Sequence, residues 1–96
     1  MIRLTPAAAR QIRQAAGAGD GDAVSLRIAA KAGADGALEF GMGFDEPRNG
    51  DLEIAAEGIT LLVAKPSQEL VTDTVVDFLE VAPGDFRFVF AHAEEP

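Results

Sequence analysis

The chain has no cysteine. That absence removes disulfides, thiolate nucleophiles and cysteine-held zinc or iron–sulfur centres together. Histidine is nearly as scarce: His92 is alone, so a serine–histidine triad would have to draw on one residue near the end of the sequence. Positive charge is short. The 8 Lys and Arg are scattered among 16 Asp and Glu, for a net charge of −8. Nucleic acids and anionic membranes call for clustered cations, so both are disfavoured as partners. The acidity either serves solubility or offers a surface to a basic protein. No apolar run approaches the ~20 residues that cross a bilayer. The opening MIRLTPAAARQIRQ lacks the apolar core and small-residue cleavage site of a signal peptide, and a cytoplasmic location is expected.

What is present suits one compact domain over residues 1–96, with a short polar tail fraying from about residue 92. Hydrophobic residues make up 48%, enough for a packed core and too many for a disordered chain. Thr5-Pro6 opens a helix, with Thr as N-cap and Pro at the first helical position. Ala8, Ile12, Ala15 and Ala16 share its apolar face, and Gly17 stops it. Val24, Leu26 and Ile28 alternate with Ser25 and Arg27 as in a half-buried strand. Leu38, Phe40, Met42 and Phe44 alternate again, with Gly41 and Gly43 on the other face marking a bulge or a close backbone approach. Asn49-Gly50 is a turn signal before a short strand at Leu52 and Ile54. ITLLVA, after Glu57-Gly58, is a nearly continuous apolar run and reads as a central strand. Lys65-Pro66 ends it, and SQELV forms one or two helical turns capped by Ser67. VVDFLEV and FRFVF close the chain as two strands around APGD, with Phe86, Phe88 and Phe90 on one face. The fold class is α+β: an N-terminal helix, short mixed or antiparallel strands in a small sandwich or half-barrel, and a short second helix.

Four stretches, in order and at matching spacing, resemble the HesB/IscA family, the A-type carriers of iron–sulfur cluster assembly. IRLTPAAARQI at residues 2–12 is similar to the family's ITLTPAAAERI. LRIAAKAGADGALEFGMGFDE at residues 26–46 resembles LRLxVKGGGCSGLxYxLxFDE. GITLLVAKPSQELVTDTVVDFLE at residues 58–80 resembles GxxVLVDxxSxxYLDGTxIDYVE, and DFRFVFAHA at residues 85–93 resembles GFRFxNPNA. The resemblance implies a HesB-like fold over nearly the whole chain. It also shows what is missing. The family's loop cysteine falls on Ala34, and its Cys-Gly-Cys has no counterpart in these 96 residues. Clusters need soft thiolates, so no iron–sulfur cluster is expected through thiolates and no cofactor is expected. The pattern resembles the cysteine-less DsrR branch found with dissimilatory sulfur oxidation, through MGFDE at residues 42–46 and EVAPGDFRFVF at residues 80–90.

Several residues carry both a chemical and a plain structural reading. Asp35 beside the lost cysteine position could join Glu39, Asp45 or His92 as a hard-ligand metal site, or it could simply shape a turn. Gly33 and Gly36 could cradle a phosphate through backbone N–H groups, or supply positive φ. Asp77 among apolar strand residues calls for a partner, with Arg27 and Arg87 as options. The phenylalanine stripe is core or an interface, with Phe90 the residue that replaces a polar one of the family pattern.

Two functional readings follow. The first is a non-catalytic interaction module whose contact surface includes Gly33, Asp35, Gly36, Glu39 and Phe90. Its partner would be a protein of sulfur metabolism or iron–sulfur assembly. The second is a carrier of Fe(II) or another divalent metal through Asp35 and His92. No acid–base constellation that would make an enzyme is apparent. Without thiols to bridge subunits, a monomer or weak dimer is expected.

Overall fold

Thr5 decides where the first helix begins. It holds an extended backbone (φ −76°, ψ 157°), and its hydroxyl accepts from the N–H of Ala8. The helix α1 then runs Pro6–Ala16 and ends on Gly17, whose left-handed backbone (φ 66°) returns its N–H to the last carbonyls. Ala8, Ala9 and Ile12 are buried. The expected apolar face stops there: Ala15 and Ala16 are exposed, because the helix runs off the end of the core.

The computed structural model describes residues 2–19 and 21–92. Its strands are β1 (Arg3–Leu4), β2 (Ser25–Ala32), β3 (Leu38–Phe44), β4 (Leu52–Ala56), β5 (Ile59–Val63), β6 (Thr74–Ala82) and β7 (Asp85–His92), with a short helix α2 (Lys65–Gln68) after β5. One sheet has the order β3-β2-β5-β4 and the other β1-β6-β7. β2–β3, β4–β5 and β6–β7 are antiparallel hairpins, while β2–β5 and β1–β6 are parallel. The expected mixed α+β architecture is therefore present, built as two sheets around one core. The expected fraying tail lies, beyond His92, outside the described residues.

Turn chemistry sets the registers. Glu57 (φ 50°) and Gly58 (φ 77°) form the two-residue, left-handed turn that joins β4 to β5. Pro83-Gly84, with Gly84 at φ 77°, closes β6 onto β7. The β2–β3 ladder runs unbroken from Leu26↔Phe44 to Ala32↔Leu38, so Gly41 and Gly43 mark no bulge. A Cβ at either would meet nothing within 4 Å. They leave open space beside an edge strand. The one register shift in these ladders falls between Glu80 and Ala82.

The deepest core is aliphatic: Ile12, Ile28, Ile59, Leu61, Leu62, Val63 and Val76 are essentially inaccessible. Leu62 and Arg27 are register partners on the face of the sheet away from the main cluster, and burial on both faces explains why β5 is apolar at every position but Thr60. The phenylalanine stripe sits at the rim. Phe88 and Phe90 are half-buried and Phe86 is 56% exposed, with Phe78 stacked on Phe86 (5.9 Å) and tilted at 54° against Phe88 (4.9 Å).

Two expected roles are corrected. Ser67 does not cap α2, whose N-cap is Ala64. It lies inside α2, buried, and its hydroxyl both accepts from Ala30 N (3.1 Å) and donates to Ala30 O (3.2 Å). β5 pairs with β2 only at Ser25, Leu26 and Arg27, so Ser67 stands in for the missing strand further along. Asp77 pairs with neither Arg27 nor Arg87. Its carboxylate accepts from Thr5 Oγ1 (2.7 Å) and from the N–H of Phe78 (2.8 Å). Thr5 thus caps α1 and ties it to β6 at once.

Candidate functional site

The loop between β2 and β3, residues 33–37, is closed on itself. Gly33 N donates to Ala37 O (2.7 Å) and Gly36 N to Gly33 O (3.0 Å), and Asp35 Oδ1 accepts from Ala37 N (3.0 Å). Asp35 therefore takes its turn-forming role. The two glycine N–H groups are engaged within the loop, which leaves neither for a phosphate. Gly36 has the expected positive φ (83°). Gly33 does not: it is glycine because a Cβ would stand 3.2 Å from Asp35 Oδ1 and 3.3 Å from Ala37 O. Ala34, Asp35 and Gly36 are exposed at the tip, and Gly33 is half-buried.

Glu39, on β3 just past the loop, reaches Lys31 on β2 at 3.7 Å, with both side chains largely in water. Phe40, next to it, stacks on Phe90 of β7 with ring centroids 4.7 Å apart and planes within 3°. This contact joins an edge strand of one sheet to an edge strand of the other, so the loop is held by an aromatic clasp at its base. His92 lies two residues beyond Phe90, exposed, opposite Thr74. Among the described residues, no three His, Asp or Glu side chains stand together as a metal site. Asp45 is removed from the loop altogether, at the other end of β3, where its N–H bonds Ser25 O (3.3 Å). The combination of Asp35, Glu39, Asp45 and His92 is thus not assembled.

The most organised polar cluster went unanticipated. Arg27, with a side chain 16% exposed, donates Nε to Asp45 Oδ2 (2.6 Å) and its two terminal nitrogens to Asp51 (2.8 and 2.7 Å). A further bond reaches Glu46 O (3.2 Å), and Arg48 joins Asp45 at 3.0 Å. The bidentate grip on Asp51 holds its carboxyl down at about 2, and Asp45 is lowered by the same guanidinium. The carboxylates in turn raise Arg27. Arg27 so fastens residues 45–51 across the outer face of the sheet. The signal in the sequence was an outward Arg on β2 facing a turn, DEPRNGD, that carries three acids.

A two-sheet α+β core with one capped N-terminal helix and a glycine hairpin loop defines a class of small carrier-fold proteins. The chain superposes on the crystal structure of Escherichia coli SufA, involved in biosynthesis of iron–sulfur clusters, with a TM-score of 0.74 and 27% identity, covering 95% of this chain and 79% of that one. It superposes on IscA with the [2Fe-2S] cluster with a TM-score of 0.76 and 29% identity, covering 96% and 85%. No family model matches. The iron–sulfur cluster insertion protein ErpA of Pseudoalteromonas translucida is 34% identical over 89 residues, 92% of this chain and 80% of ErpA. The chain belongs to the HesB/IscA family of A-type carriers.

Proposed function

We propose that this chain is a non-catalytic member of the A-type carrier family that acts as an accessory protein-interaction module. It would work in the cytoplasm, beside sulfur oxidation or iron–sulfur assembly, as a cysteine-less protein of the DsrR kind. The observation that carries this reading is a preserved presentation device without its chemistry. The loop of residues 33–37 is closed by three hydrogen bonds and clasped through Phe40 and Phe90, yet its tip offers the methyl group of Ala34. The IscA relative holds a [2Fe-2S] cluster. Such a cluster does not fit the donors here, because the sequence has no thiol and the Asp35 carboxylate is turned back onto the loop. The exposed Asp35, Gly36 and Glu39, with the half-buried Gly33 and Phe90 beside them, then serve as the contact for a protein partner.

Two measurements test the reading. Anaerobic treatment with Fe(II) and sulfide, followed by desalting, is expected to leave the protein colourless. A stoichiometric bound cluster would refute the loss of carrier chemistry. Proteins retained from native extract by the wild type are expected to be lost by an Asp35→Lys/Phe90→Asp variant. An unchanged set of captured proteins would show that the contact surface lies elsewhere.

A further inference from the structure

At the opposite end of the β2–β3 hairpin lies a groove of about 800 Å³ that the loop surface does not use. The seven paired positions of the ladder separate the two, roughly 20 Å at ~3.3 Å per residue. Its floor is small and apolar. Ala15 and Ala16 continue the apolar stripe of α1 past the core, and Ala23, two residues before β2, lines the same groove. Phe44, 51% exposed, forms a wall.

The rim is acidic, and no lining residue is Lys or Arg. Asp45 is already neutralised by Arg27 and Arg48. The other two carboxylates are not. The Asp22 carboxylate accepts the backbone N–H of Gly19 (2.8 Å), and among the described residues neither it nor the Glu46 carboxylate forms an ion pair, while Arg13 and Arg27 bond the backbone oxygens of the two residues (3.4 and 3.2 Å). Two carboxylates that form no ion pair among the described residues thus flank an apolar floor and an exposed ring.

We propose that this groove docks a short basic segment of a partner protein, in which Lys or Arg flank an apolar residue. The apolar residue lies on the alanines, which allow close backbone approach. The cations meet Asp22 and Glu46, one of them passing over the face of Phe44. Nucleic acid and anionic lipid are repelled by the same rim. This surface and its ligand chemistry are separate from the loop contact, so either can fail without the other.

The test is an NMR titration of ¹⁵N-labelled protein, at physiological salt, with a synthetic peptide alternating lysine and leucine. A glutamate–leucine peptide is the control. The expected shifts concentrate on the amides of Gly17, Val24, Phe44 and Glu46 and spare residues 33–37. Asp22→Asn/Glu46→Gln and, separately, Phe44→Ser are each expected to raise Kd at least fivefold. The first pair is fully at the surface and is expected to keep the thermal midpoint, so it decides the matter even if Phe44→Ser perturbs folding. Shifts spread over the whole acidic surface, equal binding of the acidic peptide, or an unchanged Kd in the carboxamide variant would overturn the proposal. So would sedimentation showing a dimer that the same variant dissolves, since the occupant would then be a second copy.

Discussion

Replacing Ser67 by alanine measures how firmly the β2–β3 hairpin is held. The hydroxyl satisfies both backbone groups of Ala30 on the side where β5 no longer reaches. Ala30 is 8% exposed and Ser67 6%, so little water can take over. Each buried backbone group left without a partner costs about 1–3 kcal/mol. Allowing for partial entry of water, the variant is expected to lose about 2–4 kcal/mol, against a total of about 5–14 kcal/mol for a domain this size. That corresponds to a fall in Tm of at least ~8 °C. The chain has no Trp or Tyr, so urea unfolding is followed by far-ultraviolet circular dichroism, with hydrogen exchange at the Ala30 amide as a local readout. Thr72→Val is the control: its hydroxyl bonds only the nearby carbonyls of Gln68 and Glu69 at the surface. That change is expected to stay within about 0.5 kcal/mol. A Ser67→Ala variant as stable as wild type, with Ala30 exchange unchanged, would refute the argument that this hydroxyl replaces a strand.

Arg27→Met is expected to destabilise the fold and to free residues 45–51, seen as faster amide exchange there. The pH dependence has a fixed sign. Asp45 and Asp51 are depressed in the folded state, so the unfolded chain binds more protons and the stability they supply is present above their ordinary carboxylate range. It is lost as pH falls towards about 2, where Asp51 titrates. Urea midpoints between pH 5 and 2 are expected to fall steeply for wild type and less steeply for Arg27→Met. A double-mutant cycle on Phe40→Ala and Phe90→Ala is expected to give a coupling of about 0.5–1.5 kcal/mol for the stacked pair. Gly36→Ala, at φ 83°, is expected to cost about 1 kcal/mol by urea denaturation. Ala34→Gly at the exposed tip is expected to change stability by no more than a few tenths of that.

Local rules carried the elements with their own punctuation. Thr5-Pro6, Gly17, Glu57-Gly58 and Pro83-Gly84 act through backbone geometry that neighbouring residues determine, and each does so in the structure. The long-range roles were less legible. Ser67 looks like a cap because a serine before a helical turn usually is one, and only the early departure of β5 from β2 gives it another task. Asp77 was matched with arginines by charge, whereas the topology brings it Thr5, 72 residues away. The glycines of β3 suggested a bulge or a close backbone approach, but the ladder is unbroken and the space beside both is open. As for the site, the family pattern pointed to Ala34, which the structure places at the exposed tip of the β2–β3 loop. Of the metal-site options for Asp35, Asp45 is ruled out by distance, because nothing in the pattern showed that it lies at the far end of the hairpin.

The pairing of β1 with β6 has a consequence for synthesis. Arg3 and Leu4 lie beside Val75 and Val76, and Thr5 bonds both Val76 O and the Asp77 carboxylate. At ~5–20 residues per second, the first strand emerges roughly 4–14 seconds before its partner exists. Until then Ile2 and Leu4, both destined for the core, have no sheet to join. Closure is therefore a late, non-local event, of the kind that folds slowly. During that wait β1 is open to capture by chaperones or by another nascent copy.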